Sequence, residues 1–295
     1  MNKSFKVAIL GGDVRQISVA DFFAEKGYDV VLWGIDNKKC KREYSVEADI
    51  TAAVNNADIC ILPLPVSNEG IRLNAPFVED SVIKLSDIAY LLPVSATVFG
   101  GRIPTDFSEK LKIRGIRYVD YFDDECLCIK NALLTAEAAI EIAMREHHGT
   151  VDSSKTMVIG YGRIGKFLTN MLVNMNSDVT VAARKDTDLA YASCMGAEVY
   201  KLKDHDCMLE INNGYDIVFN TVPARLIDPE LITKLNKRTV IIDLASPPGC
   251  VDIRQARDAG LKIIRALSLP GKYSPMRAGK IIAESIYSTL SEFGL

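Results

Sequence analysis

The stretch Lys155–Lys185, KTMVIGYGRIGKFLTNMLVNMNSDVTVAARK, decides the fold. A short apolar run, KTMVI, leads into the glycine-rich turn GYGRIG. A segment with Ile164, Phe167, Leu168, Met171 and Leu172 on one helical face follows, and then the β-branched run DVTVAA. Strand, glycine turn, amphipathic helix and strand in that order predict a parallel βαβ unit. Gly160, Gly162 and Gly165 stand at G-x-G-x-x-G spacing, which is weak evidence alone and informative between a strand and a helix. Gly160 suits a tight turn, Gly162 lets backbone approach a diphosphate, and Gly165 lets helix and strand pack closely. The phosphates of a dinucleotide would lie over the helix N-terminus, where unpaired N–H groups and the dipole favour negative charge.

Working outward, the same pattern occurs earlier. KVAILGGDVRQISVADFFAEKGYDVVLWGID, residues 6–36, aligns with the quoted stretch without a gap, Gly11 falling on Gly160 and Asp29 on Asp178. Its helical stripe is Val19, Phe22 and Phe23. ADICILPLP (57–65) and YDIVFNTVP (215–223) form a further pair of strand patterns, and DIAYLLPVS (87–95) and RTVIIDLAS (238–246) another. The expected fold is therefore α/β: two Rossmann-like doubly wound parallel-sheet domains, with ligands beyond the carboxyl ends of the strands and a cleft between the domains. NALLTAEAAIEIAMREHH has helical periodicity, with Ala136, Ala139, Ile140 and Ala143 on one face, and GTVDSSK ends it. The expected division is a first domain over 1–130, a linker helix over 131–150 and a dinucleotide domain over 151–274. A C-terminal helix over 275–295 would return to the first domain.

The two turns differ where it matters. Asp13 stands at the position of Gly162 and Gln16 at that of Gly165, so the first copy should refuse a diphosphate and serve the substrate. The cofactor contacts expected in the second copy are Gly160, Tyr161, Gly162, Arg163, Ile164 and Gly165. At the end of the second strand stand Arg184 and Lys185, with no carboxylate before Asp186, which favours NADP over NAD. Thr221, Val222 and Pro223 should pass near the nicotinamide ribose, and Ala245 and Ser246 near the ring. Substrate-binding candidates are Asp13 and Arg15 in GGDVRQ, with Arg15 suited to a carboxylate, Ser67 and Ser95 after strand patterns, and Lys130, Asn131 and Thr135 at the expected helix start. Lys272 and Arg277 are further cations. Arg15 on a helix start also has a plain alternative as a solvated side chain.

Composition narrows the classes. A net charge of −3 argues against nucleic acid and anionic membrane as partners. No apolar run approaches membrane-spanning length, and the opening MNKSFKVAILGG lacks a signal-peptide pattern, so a cytoplasmic protein is expected. The 7 cysteines follow no disulfide or zinc spacing and read as reduced; no metal site is expected. Hydride transfer with a dinucleotide is the implied chemistry. A D-2-hydroxy-acid-dehydrogenase-like enzyme needs a positioned histidine, but His147 and His148 end the linker helix and His205 falls in a polar loop. No catalytic acid–base residue is assigned. A nucleotide-binding scaffold or regulatory protein, with the chemistry done by a partner, stays open, as does the oligomeric state.

AILGGDVRQ, NALLTAEAAIEIAM, VIGYGRIGK, NTVPA, DLASPPGCVD and ALSLPGKYSPMRAGKII together resemble the dipicolinate synthase A subunits, in order along nearly the whole chain. The family pattern departs at Leu134 and Ala138, where proline and glycine are expected. The resemblance implies an oxidoreductase of the mother-cell cytoplasm in spore-forming bacteria. It would convert dihydrodipicolinate, or its hydrated precursor from the lysine pathway, to dipicolinate during sporulation. It also implies a partner, the flavoprotein-like B subunit, and a small dicarboxylate as substrate.

Overall fold

The computed structural model describes residues 5–36, 40, 42–78, 83–202, 214–227, 232, 233 and 235–294. The chain divides into two compact units, Met1–Asn131 with Ser274–Leu295, and Ala132–Tyr273. Each holds one six-stranded parallel sheet.

In the first unit the strands are β1 (Lys6–Leu10), β2 (Asp29–Trp33), β3 (Ser45–Val46), β4 (Ile59–Ile61), β5 (Thr97–Gly100) and β6 (Arg117–Asp120), in the order β3-β2-β1-β4-β5-β6. In the second they are β7 (Lys155–Ile159), β8 (Asp178–Ala183), β9 (Glu198–Lys201), β10 (Ile217–Asn220), β11 (Val240–Asp243) and β12 (Lys262–Arg265), in the order β12-β11-β10-β7-β8-β9. Read from each unit's own first strand, the two orders are the same. The doubly wound fold expected from the sequence is present twice, with its switch points at β1/β4 and β7/β10.

The likeness extends to individual bonds. Lys6 N–H donates to Asp58 Oδ2 at 2.9 Å, and Lys155 N–H donates to Asp216 Oδ2 at 2.9 Å. Gly11 N–H reaches Trp33 O and Gly160 N–H reaches Ala182 O, each at 2.8 Å. Both faces of the second sheet are covered, which is why its strands read as continuous apolar runs. Val158, Val181, Phe219 and Ile242 pack on one side with Leu168 and Leu172, and Met157, Ile159, Val218 and Ile241 on the other.

The helices of the first unit are α1 (Arg15–Glu25), α2 (Ile50–Val54), α3 (Leu85–Leu91) and α4 (Thr105–Ile113). α5 (Glu125–Glu146) runs on into the second unit, which adds α6 (Arg163–Asn174), α7 (Asp186–Cys194), α8 (Ile253–Asp258) and α9 (Leu269–Tyr273). α10 (Pro275–Glu292) belongs to the first unit. It lies on α1 at a glycine: a Cβ on Gly279 would stand 2.1 Å from Arg15 O. Ser18 Oγ donates to Met276 O, Ser285 Oγ to Asp124 Oδ2, and the Phe22 and Tyr287 rings meet edge to face.

Two expectations are corrected. DIAYLLPVS is not a strand: its first five residues belong to α3, and the fifth strand is TVFG at 97–100. Leu85, Ile88, Ala89 and Leu92 are buried while Tyr90 and Leu91 are exposed, the 3.6-residue period of a helix and not strand alternation. The long helix begins at Glu125, not near residue 131, because Asp124 caps it by accepting from Cys126 N–H at 2.8 Å. Among the described residues no helix is long and apolar enough to cross a membrane, and no group of three metal-type side chains is found.

Candidate functional site

β7 is followed by Gly160, whose φ of +94° is the left-handed turn that glycine supplies at no steric cost. The space beside it is taken: a Cβ there would meet Thr221 Oγ1 at 2.4 Å. Gly165 is closed in a different way, since its Cβ would lie 2.1 Å from Gly160 O. Only this absence lets α6 start so near the strand. Gly162 is the opposite case, with nothing among the described residues within 4 Å of a Cβ and an ordinary φ of −78°. The open side of the turn is there. The N-cap position of α6 is Gly162 itself, which offers no side chain, and no acidic residue stands in the first turn. An open approach at Gly162, over a helix start with no acidic residue in its first turn, fits the diphosphate of a dinucleotide.

The loops after β10 and β11 are held by a buried polar pair. Asn220 and Asp243 are register partners at the ends of these strands, both fully buried. Asn220 Nδ2 donates to Asp243 Oδ1 at 2.8 Å and to Val222 O at 3.0 Å, and Val222 N–H returns a bond to Asn220 Oδ1 at 3.1 Å. Asp243 also accepts from Ala245 and Cys250 N–H and, at 3.4 Å, from Arg265 Nη1. Thr221 is anchored on Ile159 O through its hydroxyl at 2.8 Å. Thr221 and Val222 thus have fixed backbones beside the glycine turn and Ala245 is buried and held by Asp243, while Pro223 and Ser246 are exposed. Sequence reasoning misses the pair Asn220–Asp243, although both residues stand in the quoted strand-end motifs. Burial and desolvation push the Cys250 thiol well above its ordinary pKa, with Asp243 adding to the effect.

At the end of β8, Arg184 and Lys185 are exposed and Lys185 precedes the first turn of α7. Lys201, the register partner of Ala183, forms an ion pair with Asp186.

The turn of the first unit is built differently from that of the second, beyond the residue differences seen in the sequence. Gly11 and Gly12 both take positive φ, so its turn diverges from the other after the first glycine. Gly12 N–H donates to Asn74 O at 2.8 Å, and a Cβ on Gly11 would meet Asn74 O at 3.0 Å and Ala75 Cβ at 3.1 Å. Residues 73–75 therefore fill the space over the turn. Asp13 Oδ1 accepts from Arg15 N–H at 3.0 Å, so the start of α1 already has its anion.

Arg15 is buried, which rules out the solvated alternative. Its Nε and Nη2 each donate to the Asp13 carboxylate at 2.8 Å, and Nη2 donates also to Leu64 O at 2.5 Å. Nη1 has no partner among the described residues, and the one fully enclosed orphan atom there is Gln16 Nε2. Tyr121, whose hydroxyl donates to Leu62 O at 3.0 Å, adjoins this group; desolvation raises its pKa. Ser67 is buried and its Oγ accepts from Gly70 N–H at 2.9 Å; Ser95 is exposed.

The helix-start argument for Lys130, Asn131 and Thr135 fails, since all three lie inside α5. Lys130 pairs with Glu284 at 3.3 Å, and Thr135 is buried. Lys272 is exposed on α9 and Arg277 on α10. His147 and His148 follow the end of α5, and His205 lies outside the described residues.

Comparison with known proteins gives a consistent result. Residues 6–122 match the family of the N-terminal domain of the dipicolinate synthase A subunit, and residues 141–267 match the shikimate / quinate 5-dehydrogenase family. The chain is 28% identical to the dipicolinate synthase A subunit of Bacillus subtilis (strain 168), over 99% of this chain and 98% of that one. The solved structure of the dipicolinate synthase A subunit from Bacillus halodurans superposes with a TM-score of 0.85 at 25% identity, covering 98% and 99% of the two chains. The solved dipicolinate synthase structure from Bacillus subtilis gives 0.83 at 26%, covering 99% and 97%.

Proposed function

We propose, for a chain that begins with the N-terminal domain of the dipicolinate synthase A subunits and resembles them over almost its whole length, that it oxidises dihydrodipicolinate, or its hydrated precursor, to dipicolinate with NADP. The observation that carries the reading is the glycine turn of the second unit, open at Gly162, set against the filled turn of the first. A nicotinamide dinucleotide bound there supplies hydride acceptance.

The chain's own residues bind and orient. The turn Gly160–Gly165 receives the diphosphate, and Arg184 and Lys185 receive the 2′-phosphate. Asn220 and Asp243 fix the loops bearing Thr221, Val222 and Pro223, and Ala245 and Ser246, where the nicotinamide end would lie. Arg15, immobilised by Asp13 and Leu64 O, keeps Nη1 for a substrate carboxylate. Conversion of the dihydropyridine to the aromatic ring removes one hydride and one proton. The gain in aromaticity lowers the demand on an acid–base residue, consistent with the lack of a histidine at the strand ends among the described residues. The setting proposed is the mother cell of a spore-former, and the partner proposed is a B subunit.

The test is incubation of the purified chain, with and without a B subunit, with NADP and the lysine-pathway intermediate, following pyridine dicarboxylate absorbance. Product from the chain alone supports the enzyme; product only with the partner favours the scaffold reading; NADPH appearing without product refutes both. Arg15→Ala should raise the substrate KM by about tenfold or more. An unchanged KM would remove Arg15 from the site.

A further inference from the structure

We infer that Lys201, on the third strand of the second sheet, is a cofactor-specificity residue: it ties up Asp186 and completes a cationic pocket for the 2′-phosphate. The inference rests on the NADP reading and deepens it. Sites selective for NAD hold the ribose hydroxyls with a carboxylate at the end of the second strand. Here the first carboxylate past that strand is Asp186, three residues beyond Ala183. Left unpaired, it would accept from ribose hydroxyls and repel a 2′-phosphate.

The sheet register removes it from that role. Ala183 and Lys201 are paired across β8 and β9, and Leu202 N–H donates to Ala183 O at 2.9 Å, so the Lys201 stem rises beside the end of β8. Its ammonium meets the Asp186 carboxylate, so the acid that follows Arg184 and Lys185 in the chain is neutralised. The other carboxylate in the first turn of α7, Asp188, lies near the Tyr161 hydroxyl, where it contributes to raising that phenol's pKa after desolvation. Each acid of this turn therefore has a neighbour other than the cofactor. An exposed ion pair adds little to stability, so the value of this one lies in the potential it sets at the strand end.

The experiment is calorimetric titration of NADP and NAD into the wild type, Lys201→Ala, Lys201→Met and Lys201→Ala/Asp186→Ala, at two salt concentrations. The methionine variant keeps the aliphatic stem and controls for packing. Both single variants should lose about tenfold in NADP affinity, with NAD affinity unchanged or improved and the salt dependence of NADP binding reduced. Removing Asp186 as well should restore part of the preference. A wild type that prefers NADP, with Lys201 variants keeping the same NADP/NAD ratio, overturns the role of Lys201 alone. A wild type that prefers NAD overturns the NADP reading and this inference together.

Discussion

Replacement of Gly162 by alanine separates cofactor binding from folding, because the free protein has room for the methyl and the complex would not. At φ −78° and ψ −162° any residue is comfortable, and nothing among the described residues lies within 4 Å of the added Cβ. Gly→Ala at a compatible position stabilises by about 0.4–1 kcal/mol through the unfolded chain, and alanine is the poorer N-cap by a similar amount. The net change should stay within about 1 kcal/mol, a Tm shift of at most ~2–4 °C. A methyl standing between the turn and a diphosphate displaces it by about 1 Å or more, enough to cost about 100-fold. Gly165→Ala provides the contrast. Its Cβ would be 2.1 Å from Gly160 O, where about 3.3 Å is normal, so helix and turn must part by about 1 Å. That overpacking costs about 1–3 kcal/mol and lowers Tm as well as affinity. Thermal unfolding and calorimetric titration of NADP read both quantities. Wild-type affinity in Gly162→Ala would show that the diphosphate is not held against this turn; a large fall in its Tm would refute the open space.

Asp243→Ala strips the acceptor from Asn220, Ala245 and Cys250 and leaves Arg265 without its carboxylate, and should cost about 3–5 kcal/mol, read as a lower denaturant midpoint. Gly279→Ala drives a methyl into Arg15 O and should destabilise by about 1–3 kcal/mol; an unchanged Tm would mean that α10 does not pack on α1 as described. Iodoacetamide at neutral pH should label the exposed Cys126 and Cys194 well before Cys60 and Cys250. Burial pushes the Cys60 thiol up to about 12 and Cys250 also upward, so early alkylation of either in peptide mapping would contradict the packed sheets.

Much of this was legible because the chain repeats itself. An offset of 149 residues carries β1 onto β7 with identical ends, so one reading served twice. The three glycines were legible for the same reason that they are needed: each lacks a side chain where backbone, helix or open approach requires it. What failed had local causes. DIAYLL is a short apolar run whose period is ambiguous over so few residues, and its burial on one face appears only once α4 lies against it. The start of α5 depended on Asp124 as cap, ahead of ECLCIK, a sequence with no strong helix signal. The Lys201–Asp186 pair joins residues that only strand register makes neighbours.

The difference between the two turns is better explained by competition than by repulsion. A Rossmann turn binds phosphate because N–H groups at the helix start lack acceptors. In the first unit the chain supplies those acceptors itself: Asn74 O for Gly12 and the Asp13 carboxylate for Arg15. A dinucleotide would have to displace groups that are tethered and already in place, whereas in the second unit the corresponding side is open. Asp13 is then only half of the barrier, and the other half is a backbone carbonyl that has no residue signature. The same filling locks Arg15, because the carboxylate that accepts from its own N–H also holds Nε and Nη2. What results is a rigid guanidinium at the switch point of the sheet whose Nη1 has no partner among the described residues, the arrangement on which the proposed carboxylate contact rests.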